Sequence, residues 1–178
     1  MTVRDVLLAT RNEHKLAEIR ELLADLPVRV VSPHEAGVPF DPAEDAVERW
    51  STFAANALAK AAWFRARTGL PTMADDSGLC VDALAGGPGV WSRRFAPEED
   101  VGPAGRDAAN NRHLLGRLAG RPARERGAHY RCALALIEER FQVVVFGRCA
   151  GRIATEARGA GGFGYDLSLI HISEPTRL

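Results

Sequence analysis

Pro71-Thr72-Met73-Ala74-Asp75-Asp76-Ser77-Gly78-Leu79-Cys80-Val81-Asp82 is the segment around which the chain is organised. A short apolar approach meets two adjacent carboxylates, a hydroxyl and a glycine, and apolar alternation then resumes. The pattern predicts strand, tight turn, strand, with the acids at the turn. Neighbouring carboxylates repel unless a cation lies between them or water reaches both. Two chemistries satisfy these residues: a solvated turn, or a divalent cation held together with a phosphate ligand. Residues 75 and 76 face opposite ways in a strict strand. One acid is therefore expected at the cation, the other anchoring the turn or supporting the cation's ligands.

Upstream, Val6-Leu7-Leu8-Ala9 predicts a buried first strand, and Leu16, Ile19, Leu22, Leu23 and Leu26 recur at helical spacing. Thr10 or Asn12 caps that helix. Arg11, His14 and Lys15 gather at its positive end, where the macrodipole disfavours each cation by about 0.3–1 kcal/mol. An anion there would remove the conflict, and the free N–H groups of a helix start suit a phosphate. Three solvated charges on a surface turn are the other reading. Val28-Arg29-Val30-Val31 predicts a second strand. A longer helix is expected from Pro42 or Ala43 to Arg67, stopped by Thr68-Gly69. Its alanines allow close packing, and Glu48 and Lys60 are its charges with chemistry to offer, though both also suit a solvated face.

Downstream, Leu84 to Phe95 is a glycine-rich loop with an aromatic return, and Pro97 to Gly105 is charged and exposed. Asp107 to Leu118 is helical, with Leu114, Leu115 and Leu118 on one side, and Arg121 to Gly127 reads as a polar linker. His129–Ile137 and Phe141–Gly147 predict an antiparallel hairpin, with a further strand at Gly151–Thr155. Arg158 to Asp166 forms a second glycine-rich loop, in which Gly159, Gly161 and Gly164 match GxGxxG. A dinucleotide site needs a helix next and an acid about 20 residues on. Pro175 interrupts the short segment after Gly164, which excludes that reading.

At 178 residues and 46% hydrophobic content the chain can build one well-packed domain. Lys plus Arg and Asp plus Glu number 23 each, so the net charge is zero. That balance argues against a general nucleic-acid or anionic-membrane surface, while permitting a local basic pocket. Cys80, Cys132 and Cys149 form no CxxC and suit a reducing compartment. With no long apolar run and no signal-peptide pattern, a cytoplasmic location is expected.

Taken in order, several segments resemble the inosine/xanthosine triphosphate pyrophosphatase family, the house-cleaning hydrolases of noncanonical purine nucleoside triphosphates. The resemblance covers about residues 6 to 166. It rests on Leu8-Ala9-Thr10-Arg11-Asn12-Glu13-His14-Lys15, Thr52-Phe53-Ala54-Ala55-Asn56-Ala57 with Lys60, Ala74-Asp75-Asp76-Ser77-Gly78-Leu79, Pro88 to Arg93, Asp107 with Asn110-Asn111, and Gly161-Gly162-Phe163-Gly164-Tyr165-Asp166. Each is weak alone; their order is the signal.

The resemblance implies a mixed α/β fold of two lobes around a long curved mixed sheet with flanking helices, the site lying in the groove between the lobes. It implies a homodimer that hydrolyses ITP, dITP and XTP to the monophosphate and pyrophosphate with Mg²⁺. Thr10, Arg11, Asn12, Glu13, His14 and Lys15 would hold the triphosphate, with Asn12 and Lys15 contacting it directly, and Lys60 would also bind the substrate. Glu48 and Asp76 would bind the metal, with Asp75 as a further carboxylate. Asp76 would also be the base that activates water. Ser77 would touch the substrate, and Phe163, Gly164, Tyr165 and Asp166 would line the base pocket, with Tyr165 or Phe163 stacked on the purine.

The sequence departs from that family in three places. Arg11 stands where many members carry glycine, and Ala55 where they often carry glutamate. After Asp166 the family continues to a lysine and a Ser-His-Arg motif, whereas Leu167 to Leu178 has neither. That tail resembles translated vector sequence, so residues 1–166 are expected to form one domain incomplete at its C-terminus, and 167–178 a non-native tail. A nucleotide-binding fragment without turnover is accordingly the alternative function. An aspartyl-phosphate phosphatase using Asp75 or Asp76 ranks below both.

Overall fold

In the computed structural model, which describes residues 3–156, 164–165 and 169–171, the acids lie inside a single strand, Thr72–Val81. The expected turn at Asp75-Asp76-Ser77-Gly78 is absent. Turn-forming residues stay extended here because each carboxylate has its own partner, Lys15 for Asp75 and Asn56 for Asp76. Neighbouring strand residues point apart, so the two acids never have to share a face.

In chain order the regular elements are β1 (Arg4–Leu8), α1 (Glu13–Leu22), β2 (Val28–Val31), α2 (Phe53–Thr68), β3 (Thr72–Val81), α3 (Gly105–Arg117), β4 (Gly127–Ile137), β5 (Gln142–Ile153) and β6 (Leu169–His171). The strands form one sheet in the order β2-β1-β3-β4-β5-β6. β1 runs parallel to both β2 and β3, and β5 runs antiparallel to β6. The sheet is therefore mixed and carries helices, the α/β class that the sequence implied. By its contacts the chain divides into two units, one of residues 1–76 and 133–146, the other of residues 77–132 and 147–178.

In the first unit, α1 begins at Asn12, whose Oδ1 accepts from the backbone N–H of His14 at 2.9 Å and of Lys15 at 3.3 Å. Its apolar stripe packs Leu16, Ile19 and Leu23 on Leu8, Val30 and Met73. Each fully buried side chain of this kind contributes about 1.5–3 kcal/mol. The helix expected from Pro42 to Arg67 is instead two pieces. Pro42–Ala46 is a 3-10 turn capped by Asp41, and α2 starts only at Phe53. A second cap explains the break: Thr52 is extended and its hydroxyl accepts from Ala55 N–H at 3.2 Å. Gly69, at φ 69°, ends α2 in the left-handed region that favours glycine.

In the second unit, Leu79, Val81, Leu114, Leu118, Ala128 and Ile153 form the core with Tyr165 and Leu169. β5 continues to Ile153, so the separate strand expected at Gly151–Thr155 is the far end of β5 itself. β6, within the segment expected to be a non-native tail, pairs with Gly151–Ile153 and buries Leu169. The stretch Arg121–Gly127 is more than a polar linker. Arg126 is buried there, and its guanidinium donates to the carbonyls of Leu118, Ile153 and Ala154 at 2.7, 2.9 and 2.5 Å.

Candidate active site

Within the first unit, β1 delivers the chain to the start of α1, and the neighbouring β3 brings its two carboxylates to the same region. Lys15, in the first turn of α1, places its ammonium 2.5 Å from Asp75 Oδ2. α2 supplies Lys60, which is ion-paired with Glu48 from the loop before the helix. α2 also supplies Asn56, whose Nδ2 donates to Asp76 Oδ2 at 2.9 Å. Asn56, Lys60 and Glu48 thus act on Asp76 from one side of β3, while Lys15 pairs with Asp75, whose side chain points the other way.

These contacts set the charge of the site. Asp76 is pushed up to about 6, chiefly because burial penalises its charged form. The Asn56 hydrogen bond and the Lys60 charge oppose that shift, while the charges of Glu48 and Asp75 reinforce it. A carboxylate poised near neutrality can exist as a proton acceptor and still hold a proton once it has taken one.

Among the described residues no three metal-binding side chains converge into a preformed cage. Of the carboxylates expected at a metal, Glu48 pairs with Lys60 and Asp75 with Lys15. The donor chemistry nonetheless fits a hard cation. Asp76 is destabilised by both neighbouring acids, and Mg²⁺ is commonly held by one or two carboxylates together with phosphate oxygens and water. Asp76 and Glu48 fit a cation that arrives with a polyphosphate better than one bound on its own.

The remaining residues of the helix start have separate tasks. Thr10 Oγ1 accepts from Asn12 N–H at 3.2 Å, which shapes the turn into α1. Glu13 and His14 are exposed in the first turn, and Glu13 is well matched to the positive end of the dipole. Arg11 is not presented to an incoming anion. It donates to both oxygens of Glu44, at 2.8 and 2.5 Å, and to the carbonyls of Pro39 and Val38 at 2.8 and 3.3 Å. The macrodipole conflict at this residue is thus settled by a carboxylate of the chain itself.

In the second unit, Ser77 is exposed on β3. Gly164, at φ 60°, is held from both sides: its N–H donates to Asp107 Oδ2 at 2.8 Å and its carbonyl accepts from Asn111 at 2.7 Å. Tyr165 corrects the expectation of a stacking ring. It is only 3% exposed, lies in the core cluster and donates its hydroxyl to Ser92 O at 2.8 Å, so neither face is open to a purine. Phe163 and Asp166 lie outside the described residues.

Sequence reasoning gave Asn56, Glu44 and Arg126 no role. Asn56 carried a usable signal, because it falls between Phe53 and Ala57 on the apolar stripe of α2. A polar residue in a buried stripe requires a partner. Glu44 and Arg126 gave none, since their partners are distant in sequence.

A profile described as the Ham1 family matches residues 6–176. A relative named dITP/XTP pyrophosphatase, from Anaeromyxobacter dehalogenans, is 42% identical over 96% of this chain and 81% of its own length. Among solved structures, a HAM1 protein from Coxiella burnetii aligns with a TM-score of 0.79 at 37% identity, over 95% of this chain and 81% of that one. A nucleoside-triphosphatase named dITP/XTP pyrophosphatase, from Mycobacterium abscessus, aligns with a TM-score of 0.77 at 40% identity, over 96% of this chain and 85% of that one. With the profile spanning nearly the whole sequence and the fold shared at these identities, this chain belongs to the Ham1 family.

Proposed function

We propose that this chain is an enzyme of nucleotide-pool sanitation, which hydrolyses ITP, dITP and XTP to the monophosphate and pyrophosphate. The observation that carries the reading is the placing of Lys15, at a capped helix start, directly against Asp75, the residue that precedes Asp76 in β3. Two cations for a triphosphate, Lys15 and Lys60, and a base for water, Asp76, are then supplied by three adjoining elements, α1, α2 and β3.

Lys15 and Lys60 hold phosphate oxygens, exchanging Asp75 and Glu48 for the substrate. Asp76 takes the proton of the attacking water as the new P–O bond forms. The α–β phosphoanhydride breaks, and pyrophosphate leaves into the lysines' field. Mg²⁺, held by Asp76 and Glu48 with the nucleotide, would supply charge neutralisation on the phosphates. Before substrate arrives each lysine is balanced by one carboxylate and Asp76 adds a further negative charge, so nucleotide binds more weakly without the metal than with it.

A homodimer is part of the proposal. In the first unit Phe141, Val143, Val145 and Phe146 are 50%, 44%, 53% and 66% exposed, an apolar run suited to a second copy of the chain. We also place the enzyme in the cytoplasm; among the described residues no helix is long and apolar enough to cross a membrane.

The deciding experiment incubates the purified protein with Mg²⁺ and each of ITP, dITP, XTP, ATP and GTP, and follows pyrophosphate and orthophosphate separately. Pyrophosphate from ITP, dITP and XTP in preference to ATP and GTP is expected. Orthophosphate as the sole product would overturn the reading, and thermal stabilisation by nucleotide without turnover would identify a binding protein instead.

A further inference from the structure

We propose that Asn56 is the positioning residue for Asp76, clamping it from one side while tying the Glu48 loop to α2 from the other. This rests on the reading of Asp76 as the carboxylate that activates water. Asn56 is 2% exposed, and both ends of its amide are used. Its Oδ1 accepts from the backbone N–H of Trp50 at 2.8 Å, and its Nδ2 donates to Asp76 Oδ2 at 2.9 Å.

The orientation of the amide is forced by its neighbours. A backbone N–H can only donate, so the end of Asn56 facing Trp50 must be the oxygen. The end facing Asp76 is then the NH₂ group, which favours an ionised acceptor. Trp50 lies two residues after Glu48, and Lys60 lies one turn of α2 beyond Asn56. One side chain thus couples the loop bearing the second carboxylate to the helix bearing the second lysine, and orders both around Asp76. Position 56 needs a side chain that accepts on one side and donates on the other; aspartate, the closest in shape, lacks the donor, and alanine lacks both.

The test compares Asn56→Asp and Asn56→Ala with the wild type. Asn56→Asp still accepts from Trp50 N–H but cannot donate to ionised Asp76. Its kcat for pyrophosphate release should fall by about 10²-fold or more, with KM within about threefold and hydrogen exchange at the Trp50 amide unchanged. Asn56→Ala should lose kcat and also speed Trp50 exchange by about tenfold. Wild-type kcat in Asn56→Asp, or a loss confined to KM, would overturn the proposal.

A thermal double-mutant cycle of Asn56→Ala with Asp76→Ala needs no turnover and covers poor folding of the Asp variant. Non-additivity of about 2 °C or more supports the coupling, and additivity rejects it. If the wild type released no pyrophosphate, the functional reading would fall, while the cycle would still decide whether Asn56 and Asp76 are linked.

Discussion

The two units solve the burial of polar groups in opposite ways. In the first, the half-buried groups around Asp76 are ionic: Lys15 pairs with Asp75, Lys60 pairs with Glu48, and burial raises the pKa of Asp76 to about 6. In the second, the buried groups that hold the backbone are mostly neutral amides and hydroxyls. Asn110 accepts from Ala96 N–H and donates to the carbonyls of Ser92 and Arg93. Ser92 Oγ accepts from Leu79 N–H and donates to Gly89 O. Arg126, the charged exception, spends its guanidinium on three carbonyls rather than on an acid. Saturated networks fix a backbone; loaded ones can change partners when a ligand arrives. Asparagine shows the contrast within one residue type, since Asn110 bonds only backbone while Asn56 bonds a carboxylate.

The contrast between the units is tested most severely by Asp76→Asn. Removing the base should lower kcat for pyrophosphate release by about 10³-fold or more, within the usual reach of general-base catalysis. The melting temperature should hold or rise, because a strained buried charge is removed. A variant that lost stability in step with activity would place Asp76 with the structural groups. Next in size is Arg126→Met, which leaves three buried carbonyls without their donor. Each orphaned group costs about 1–3 kcal/mol. A total of about 3 kcal/mol would lower the melting temperature by roughly 6–12 °C. Turnover by the folded fraction should be unchanged; a selective loss of kcat would show that the second unit's network also serves the chemistry.

The load on Asp76 has a sign that stability reports. Its folded pKa, about 6, lies above its ordinary 3.8, so the folded state binds this proton more tightly than the unfolded chain. The stabilisation is full below pH 3.8 and is lost as pH rises through about 6. Without added metal, the wild type should therefore lose melting temperature relative to Asp76→Asn across that window, and the two curves should run parallel above it. Parallel curves throughout would mean that the carboxylate carries no load.

Legibility in the sequence divides along the same line. The order of strands and helices can be read because apolar period and caps are local: Asn12 and Leu16, Ile19 and Leu23 specify α1 within a dozen residues. Asp75 and Asp76 are legible as a charge problem, but their extended conformation is not. Asp-Asp-Ser-Gly carries turn chemistry, and the partners that keep it extended lie on α1 and α2. The break before α2 is hidden for a related reason. Both Asp41 and Thr52 are good caps, and only the tie between Trp50 and Asn56 shows that the chain uses both. Tyr165 has the composition of a base-pocket residue and the environment of a core residue, which no spacing rule distinguishes.

The smallest expected effect separates two cations that are close neighbours in the sequence. Arg11 and Lys15 flank the same helix start, but Arg11 is occupied by Glu44 and two carbonyls, whereas Lys15 faces the reactive cluster. Arg11 therefore straps the 38–44 loop to the turn before α1, and holds little charge in reserve for phosphate. Arg11→Ala should cost about 0.5–1 kcal/mol, the range of partly exposed ion pairs, and leave KM for ITP within about threefold. Lys15→Ala should instead raise KM by about tenfold or more, the loss of one charged hydrogen bond to substrate. The decisive quantity is the ratio of the two KM changes. If Arg11→Ala raised KM as much as Lys15→Ala, then Glu44 would have to release the guanidinium when the triphosphate binds. Arg11 would then join the lysines among the groups that exchange a carboxylate for substrate, and the division between strap and site would move by one residue.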